Sequence, residues 1–209
     1  MSSGEAGQAR RQHVLEAAQP QRVDGRTARS ERTRNAIVDA HLQLLQEGDL
    51  RPTADRIARV AGVSLRALWS HFADMEALFA AAGLRVLDQR AATFEPVSVD
   101  LPLPVRIEAY CHQRARMLEQ IALTAKAASM REPFSTALQR YRRIHMELVR
   151  DELKTLFAAE VNGDAELLAA LTAISMWPTW GTWRDAMGLS PDAARAALTH
   201  AISALLRPA

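Results

Sequence analysis

Residues 53–72, TADRIARVAGVSLRALWSHF, constrain this chain more than any other stretch, because they fit a helix, a glycine turn and a second helix into about twenty positions. Thr53 is placed to cap a helix running through Ala61, with Ile57, Ala58 and Ala61 on its inner face. Gly62 is free to take the positive φ that reverses the chain, and Ser64 caps the helix that follows. Ala58 lets the two helices approach closely, while Val63, Leu68 and Phe72 fill the space behind the second one. Leu65, Arg66, Trp69 and Ser70 are left on its free face.

The flanking sequence supplies further helices. Ser30 offers an N-cap, and Ile37, Ala40, His41, Leu44 and Leu45 then recur at helical spacing until Gly48. Asp74 restarts the cycle as the cap of a helix bearing Leu78, Phe79 and Leu84. Pro96, Pro102 and Pro104 mark a hinge, beyond which the pattern predicts helices near 104–129, 134–159, 164–187 and 191–206. Only 5% of residues are aromatic while Ala, Leu and Arg recur throughout, so the fold class is all-α. The expected division is a disordered basic arm at 1–28, a three-helix helix-turn-helix domain at 29–90, and a larger helical bundle for ligand binding and dimerisation at 91–209.

A recognition helix of this length fits the major groove of B-DNA with its N-terminal residues nearest the bases. Arg66 is the expected base reader, since its paired donors match the O6 and N7 acceptors of guanine. Thr53, Ser64 and His71 are suited to phosphates. The same spacing also fits a hairpin that merely packs, with Thr53 and Ser64 as caps and Arg66 as a solvated charge. Nearly all basic residues are Arg, with Lys only at Lys126 and Lys154, which suits phosphate contacts but equally follows from GC-rich codon usage. A net charge of +2 decides nothing by itself.

Other chemistries lack support. Cys111 is the only cysteine, so an intrachain disulfide is excluded, and a reducing cytoplasm fits. His112 and His145 have no clustered spacing with Cys111, so no metal site is expected. No glycine-rich phosphate loop, nucleophile elbow or zinc motif is present, and neither a catalytic residue nor a cofactor is assigned. The first thirty residues lack an apolar export core and nothing later reaches the roughly 18 apolar residues of a membrane span, so a cytoplasmic protein is expected.

Residues 31–84 resemble the N-terminal domain of the TetR-type transcriptional repressors. The likeness rests on a helix ending Leu-Leu-Gln-Glu-Gly, then Pro-Thr-Ala-Asp-Arg-Ile-Ala, Ala-Gly-Val-Ser, and Leu-Trp-Ser-His-Phe followed by Glu-Ala-Leu-Phe. Beyond that region the agreement lies in helical layout and length alone. Trp69 stands where the family usually has a phosphate-touching Tyr, and its indole N–H donates a comparable bond without an acceptor role. Met75 stands where a Lys anchor is common, and Arg26, Arg29, Arg32 and Arg34 are placed to compensate.

The resemblance implies a regulator that binds a double-stranded DNA operator as a homodimer and is released by a small apolar or aromatic effector held in the C-terminal domain. Two apolar stripes suit the dimer: Leu167, Leu168, Leu171 and Ile174, then Ala194, Ala197, Leu198, Ala201, Ile202 and Leu205. A purely intrachain core accounts for them as well. Residues 175–183, SMWPTWGTW, put three tryptophans, Pro178 and Gly181 inside a helical stretch, where a kink or break is expected. Met176, Trp177 and Trp180 there, with Met117, Phe134, Tyr141 and Met146, are the expected pocket walls, although aromatic clusters equally serve cores and dimer contacts. Two other readings stay open: a DNA-binding regulator with no small-molecule inducer, and a helical module that no longer binds DNA.

Overall fold

A computed structural model describes residues 25–207. Residues 1–24, most of the expected arm, and the side chain of Arg26 lie outside the described residues. All regular structure among the described residues is helical. The chain begins with α1 (Gly25–Gln46), α2 (Ala54–Val60), α3 (Leu65–His71) and α4 (Met75–Thr93). An irregular stretch follows, then α5 (Leu103–Gln120), α6 (Ala122–Arg131), a 3₁₀ turn (Glu132–Phe134) and α7 (Thr136–Leu156). The C-terminal part holds α8 (Ala158–Val161), α9 (Ala165–Ile174), α10 (Trp177–Gly181), a π turn (Thr182–Ala186) and α11 (Pro191–Leu205).

Ser30 is not a cap: α1 starts at Gly25, because the polar residues ahead of the apolar stripe continue the helix as a solvated extension. The other expected caps form as read. Thr53 accepts from the Arg56 amide, Ser64 from Ala67, Asp74 from Ala77 and Ser190 from Ala193, each satisfying a donor the first helical turn leaves orphaned.

Two cores form. Ile37, Leu44, Ile57, Leu68, Phe72 and Leu78 close the first, joining α1 to α2, α3 and α4. The second gathers Tyr110, Leu118, Leu153, Phe157, Leu171, Trp180 and Leu198 inside the bundle. Leu84, expected on the inner face of α4, is exposed instead, since α4 turns its other side to α7.

That α4–α7 crossing joins the two cores. Gly83 lies flat against the Tyr141 ring, so close that a Cβ at position 83 would stand 2.9 Å from Tyr141 Cδ2. Glu76 of α4 accepts from the Ser135 hydroxyl at 3.0 Å and from the Ala137 amide at 3.2 Å, so it helps cap α7 from outside. Arg131, ending α6, donates to the Leu50 carbonyl at 2.8 Å and lies over the Phe79 ring.

The long helices expected beyond the hinge are interrupted. The first breaks at Ile121, and the third breaks at Met176, whose extended backbone precedes Pro178, a residue with no amide to continue the ladder. Gly181 there packs on the Trp177 indole.

Candidate nucleic-acid interface and interior cavity

The helix-turn-helix is built from its turn outward. Gly62 has φ +70°, and behind it the Val63 amide reaches the Ala58 carbonyl at 2.9 Å, closing α2 and aiming the chain into α3. Leu68 and Phe72 are buried, so they fix the inner face of α3 against α1. The opposite face carries exposed Leu65, Arg66, Trp69 and Ser70, with His71 half-buried at the end.

The polar groups on this surface differ in availability. Arg56 and Arg59 of α2 are engaged by Asp49 at 3.1 Å and Asp55 at 2.6 Å. Arg66 makes no ion pair or hydrogen bond among the described residues, so its guanidinium is free to meet a partner from outside. Thr53 and Ser64 spend an acceptor lone pair on their own helices but keep their hydroxyl protons. Ser70 donates to the Ala67 carbonyl at 2.7 Å, so its hydroxyl is turned back onto α3. Met75 packs partly buried against the N-terminal core rather than facing outward. Of the arginines before α2, Arg34 lies 4.4 Å over the Phe72 ring, beside the recognition helix. Arg29 and Arg32 are exposed on the first turns of α1.

A cavity of about 730 Å³ lies between α4, α6, α7 and α10. Tyr141, Met176 and Trp177 line it, whereas Met117 lines two smaller cavities, one of which shares wall residues with it. Three expected wall residues sit elsewhere. Phe134 is 90% exposed, because Pro133 commits its segment to a 3₁₀ turn that points the ring away from the bundle. Met146 faces outward on α7. Trp180 is wholly buried in the core, its indole donating to Glu119 at 2.7 Å, with Arg184 donating to the same carboxylate at 2.8 Å. Sequence periodicity marks these residues as apolar without saying which neighbour covers them.

The sequence reading missed Val86, Ile121, Thr124, Leu138 and His145 in the wall. His145 stacks on Tyr141 with centroids 6.2 Å apart. Burial, with the nearby Arg114 and Arg90 charges, pushes its imidazole down to about 3, so it is neutral. Also missed was Arg114, fully buried on α5. Its signal was present, for it falls on the stripe Ile107, Tyr110, Cys111, Leu118 at helical spacing. Among the described residues no group of three His, Cys, Asp or Glu is placed to hold a metal, and no helix is long and apolar enough to cross a membrane.

The two apolar stripes read from the sequence lie on α9 and α11. Leu168, Leu171, Ala194, Leu198 and Ile202 are buried within the chain, against α5 and α7. Leu167, Ile174, Ala197 and Ala201 are only partly covered, and Leu205 is exposed. The stripes thus divide between an intrachain core and an accessible edge.

Residues 37–82, which run from the second half of α1 through α2 and α3 into the first turns of α4, match the family of bacterial regulatory proteins, tetR family. No curated protein matches the chain. A transcriptional regulator from Rhodococcus sp. Rha1, solved by crystallography, shares the fold with a TM-score of 0.64 and 22% identity, over 85% of this chain and 95% of that one. A second crystal structure, a putative TetR-family transcriptional regulator from Rhodococcus sp., gives 0.60 and 18% identity, over 84% of this chain and 99% of that one.

Proposed function

We propose that this chain is a tetR-family homodimeric repressor, similar over residues 37–82 to that family, whose two α3 helices enter successive major grooves of an operator and leave it when a small molecule fills the cavity. The observation that carries the reading is the pairing of a free Arg66 on the exposed face of α3 with a cavity whose wall touches α4, the helix that follows α3. Arg66 reads a guanine, Trp69 donates its indole N–H to a phosphate, and Thr53, Ser64 and the helix N-termini hold the backbone. Leu65 meets the bases by apolar contact, with Ser70 and His71 at the groove edge. The partly covered edges of α9 and α11 form the dimer contact, a four-helix arrangement about a twofold axis.

A ligand beside Tyr141 bears directly on Gly83, and so on α4. A tilt of α4 carries α3 with it and spoils the roughly 34–36 Å spacing that two half-sites demand. The test is selection of bound duplexes from a randomised pool, followed by footprinting of the enriched site. A palindrome with half-sites one helical turn apart is expected, and Arg66→Ala should weaken binding by about 1–3 kcal/mol while relaxing preference at one base pair of each half-site. A pool from which no palindrome emerges at moderate salt would sink the repressor reading. Release of the selected duplex by small molecules separates it from a regulator with no inducer.

A further inference from the structure

The bundle buries two arginines on α5 and treats them differently. Arg106 is neutralised: its guanidinium pairs with Glu160 at 2.6 Å and donates to the Leu101 and Leu156 carbonyls. Arg114, wholly enclosed, donates to the Ser175 carbonyl at 2.6 Å and otherwise meets only the thioether sulfurs of Met117, at 3.5 Å, and Met176, at 3.8 Å. Those sulfurs are weak acceptors and bring no charge. The carboxylate in its vicinity, Glu152, is already bound by Arg90 at 2.9 Å. Asp151 beside it is exposed. Arg90 itself leaves Nη1 buried and without a hydrogen-bond partner. Burial pushes the Glu152 carboxyl above its usual range, with Arg114 and Arg90 pulling it back. A buried guanidinium without its own anion is costly, and an unmade bond at Arg90 adds to that cost.

This cluster borders open space. Arg90, Arg114 and Glu152 line a chamber of about 170 Å³, with the exposed Arg116 at its edge. Arg90, Met117 and Gln120 also line a second chamber of about 210 Å³, which shares Val86, Ile121, Thr124, Tyr141 and His145 with the large cavity. The three therefore follow one another from a cationic end to an apolar, aromatic end at Trp177. Charges at the apolar end are paired with one another, Lys126 with Asp185 and Arg142 with Glu132. Net positive charge thus collects at one end of the series.

Resting on the effector reading above, we propose that the molecule this domain binds is an organic carboxylate, its anionic end meeting Arg90 and Arg114 and its apolar part lying along Met117, Ile121, Tyr141 and Trp177. The planar guanidinium pairs with a carboxylate through two parallel bonds, which satisfies Arg90 Nη1 and gives Arg114 the anion it lacks. A neutral or cationic analogue of the same shape leaves both needs unmet.

Calorimetry on the full chain decides this with 2-naphthoate, 2-naphthamide, 2-naphthylmethylamine and decanoate as probes. Naphthoate is expected to bind at least about tenfold more tightly than naphthamide. Arg90→Gln, which leaves Arg114 and Glu152 as a one-to-one pair, should lower naphthoate affinity about tenfold and leave naphthamide unchanged. Glu152→Gln, which removes the competing carboxylate, should raise it. Opposite shifts in the two variants support a charge effect that loss of folding cannot imitate. The proposal is overturned if naphthamide or the amine binds as well as naphthoate, if both variants move naphthoate affinity the same way, or if neither carboxylate binds at millimolar concentration. Naphthoate binding with the predicted charge dependence but no release of DNA supports the carboxylate site and removes the inducer reading instead.

Discussion

Beneath the helix-turn-helix the core is closed by Ile37, Leu44, Ile57, Leu68 and Leu78, with His41 as its buried polar side chain, whereas the bundle behind it encloses Arg106, Arg114, His145, Thr172 and Ser175 among its apolar residues. The charges of the first region stay outside, as exposed pairs such as Arg59–Asp55. Those of the second are drawn in, and the Tyr110, Ser175 and Thr199 hydroxyls and Arg90 Nη1 are buried there without hydrogen-bond partners, against His41 Nδ1 in the first. Under the repressor reading proposed above, the contrast separates two tasks. A surface that reads DNA needs its recognition helix held at a fixed angle, which apolar close packing supplies without directional bonds. The bundle keeps polar atoms inside at a desolvation cost for each unmet bond, and of the atoms just named Arg90 Nη1 belongs to a residue that lines a chamber.

The contrast can be attacked first where it predicts the largest effect. Leu68→Ala removes a wholly buried side chain from under α3 and should cost about 2–5 kcal/mol in denaturant unfolding, with DNA affinity falling alongside. A loss below about 1 kcal/mol would mean that the first core relaxes around a hole and is not the rigid base described.

Acid should blur the distinction, because each region hides one neutral imidazole. Burial, then the Arg131 charge, pushes His41 down to about 4, and burial, then Arg114 and Arg90, pushes His145 down to about 3. Unfolded, both take up a proton below about pH 6.5. The unfolded chain therefore binds more protons as pH falls, and stability drops from about pH 6.5 down to those folded values. Urea midpoints compared at pH 7 and 5 should show a loss on the order of 2 kcal/mol per histidine, and His145→Gln should remove about half of it. If that variant keeps the full acid loss, His145 does not charge on unfolding as argued.

The smallest effect is local. Ser64→Ala deletes the cap at the start of α3 and should cost about 1 kcal/mol, read as a shift in melting temperature. No shift would indicate that packing alone holds the N-terminal end of α3.

The first region was far more legible in sequence than the second, and for a physical reason. Ile37, Leu44 and Leu45 repeat at helical spacing, and Thr53, Ser64 and Asp74 announce helix starts through bonds made within three residues. Local rules govern both. Ser30 deceived because a hydroxyl residue inside a polar helical extension is indistinguishable from a cap when nothing apolar precedes it. In the bundle the decisive relations are distant: Ser135 meets Glu76, Arg114 meets Ser175, and Trp180 meets Glu119. Composition identifies Phe134, Met146 and Trp180 as apolar, yet only the packing of other helices decides that two face water and one is sealed. The cavity was therefore half legible, with Tyr141, Met176 and Trp177 placed in its wall and the residues at its charged end unseen.

At Gly83 the joint between the two regions depends on an atom that is missing. The Tyr141 ring occupies the space a methyl group would need, so a single hydrogen sets how closely α4 rests on α7. That ring has two neighbours with competing claims, the backbone of α4 on one side and the cavity on the other. The ring is shared between them: it fills the space beside Gly83 and at the same time forms part of the cavity wall. Under the repressor reading proposed above, this shared ring is one path by which a guest in the cavity would reach α4.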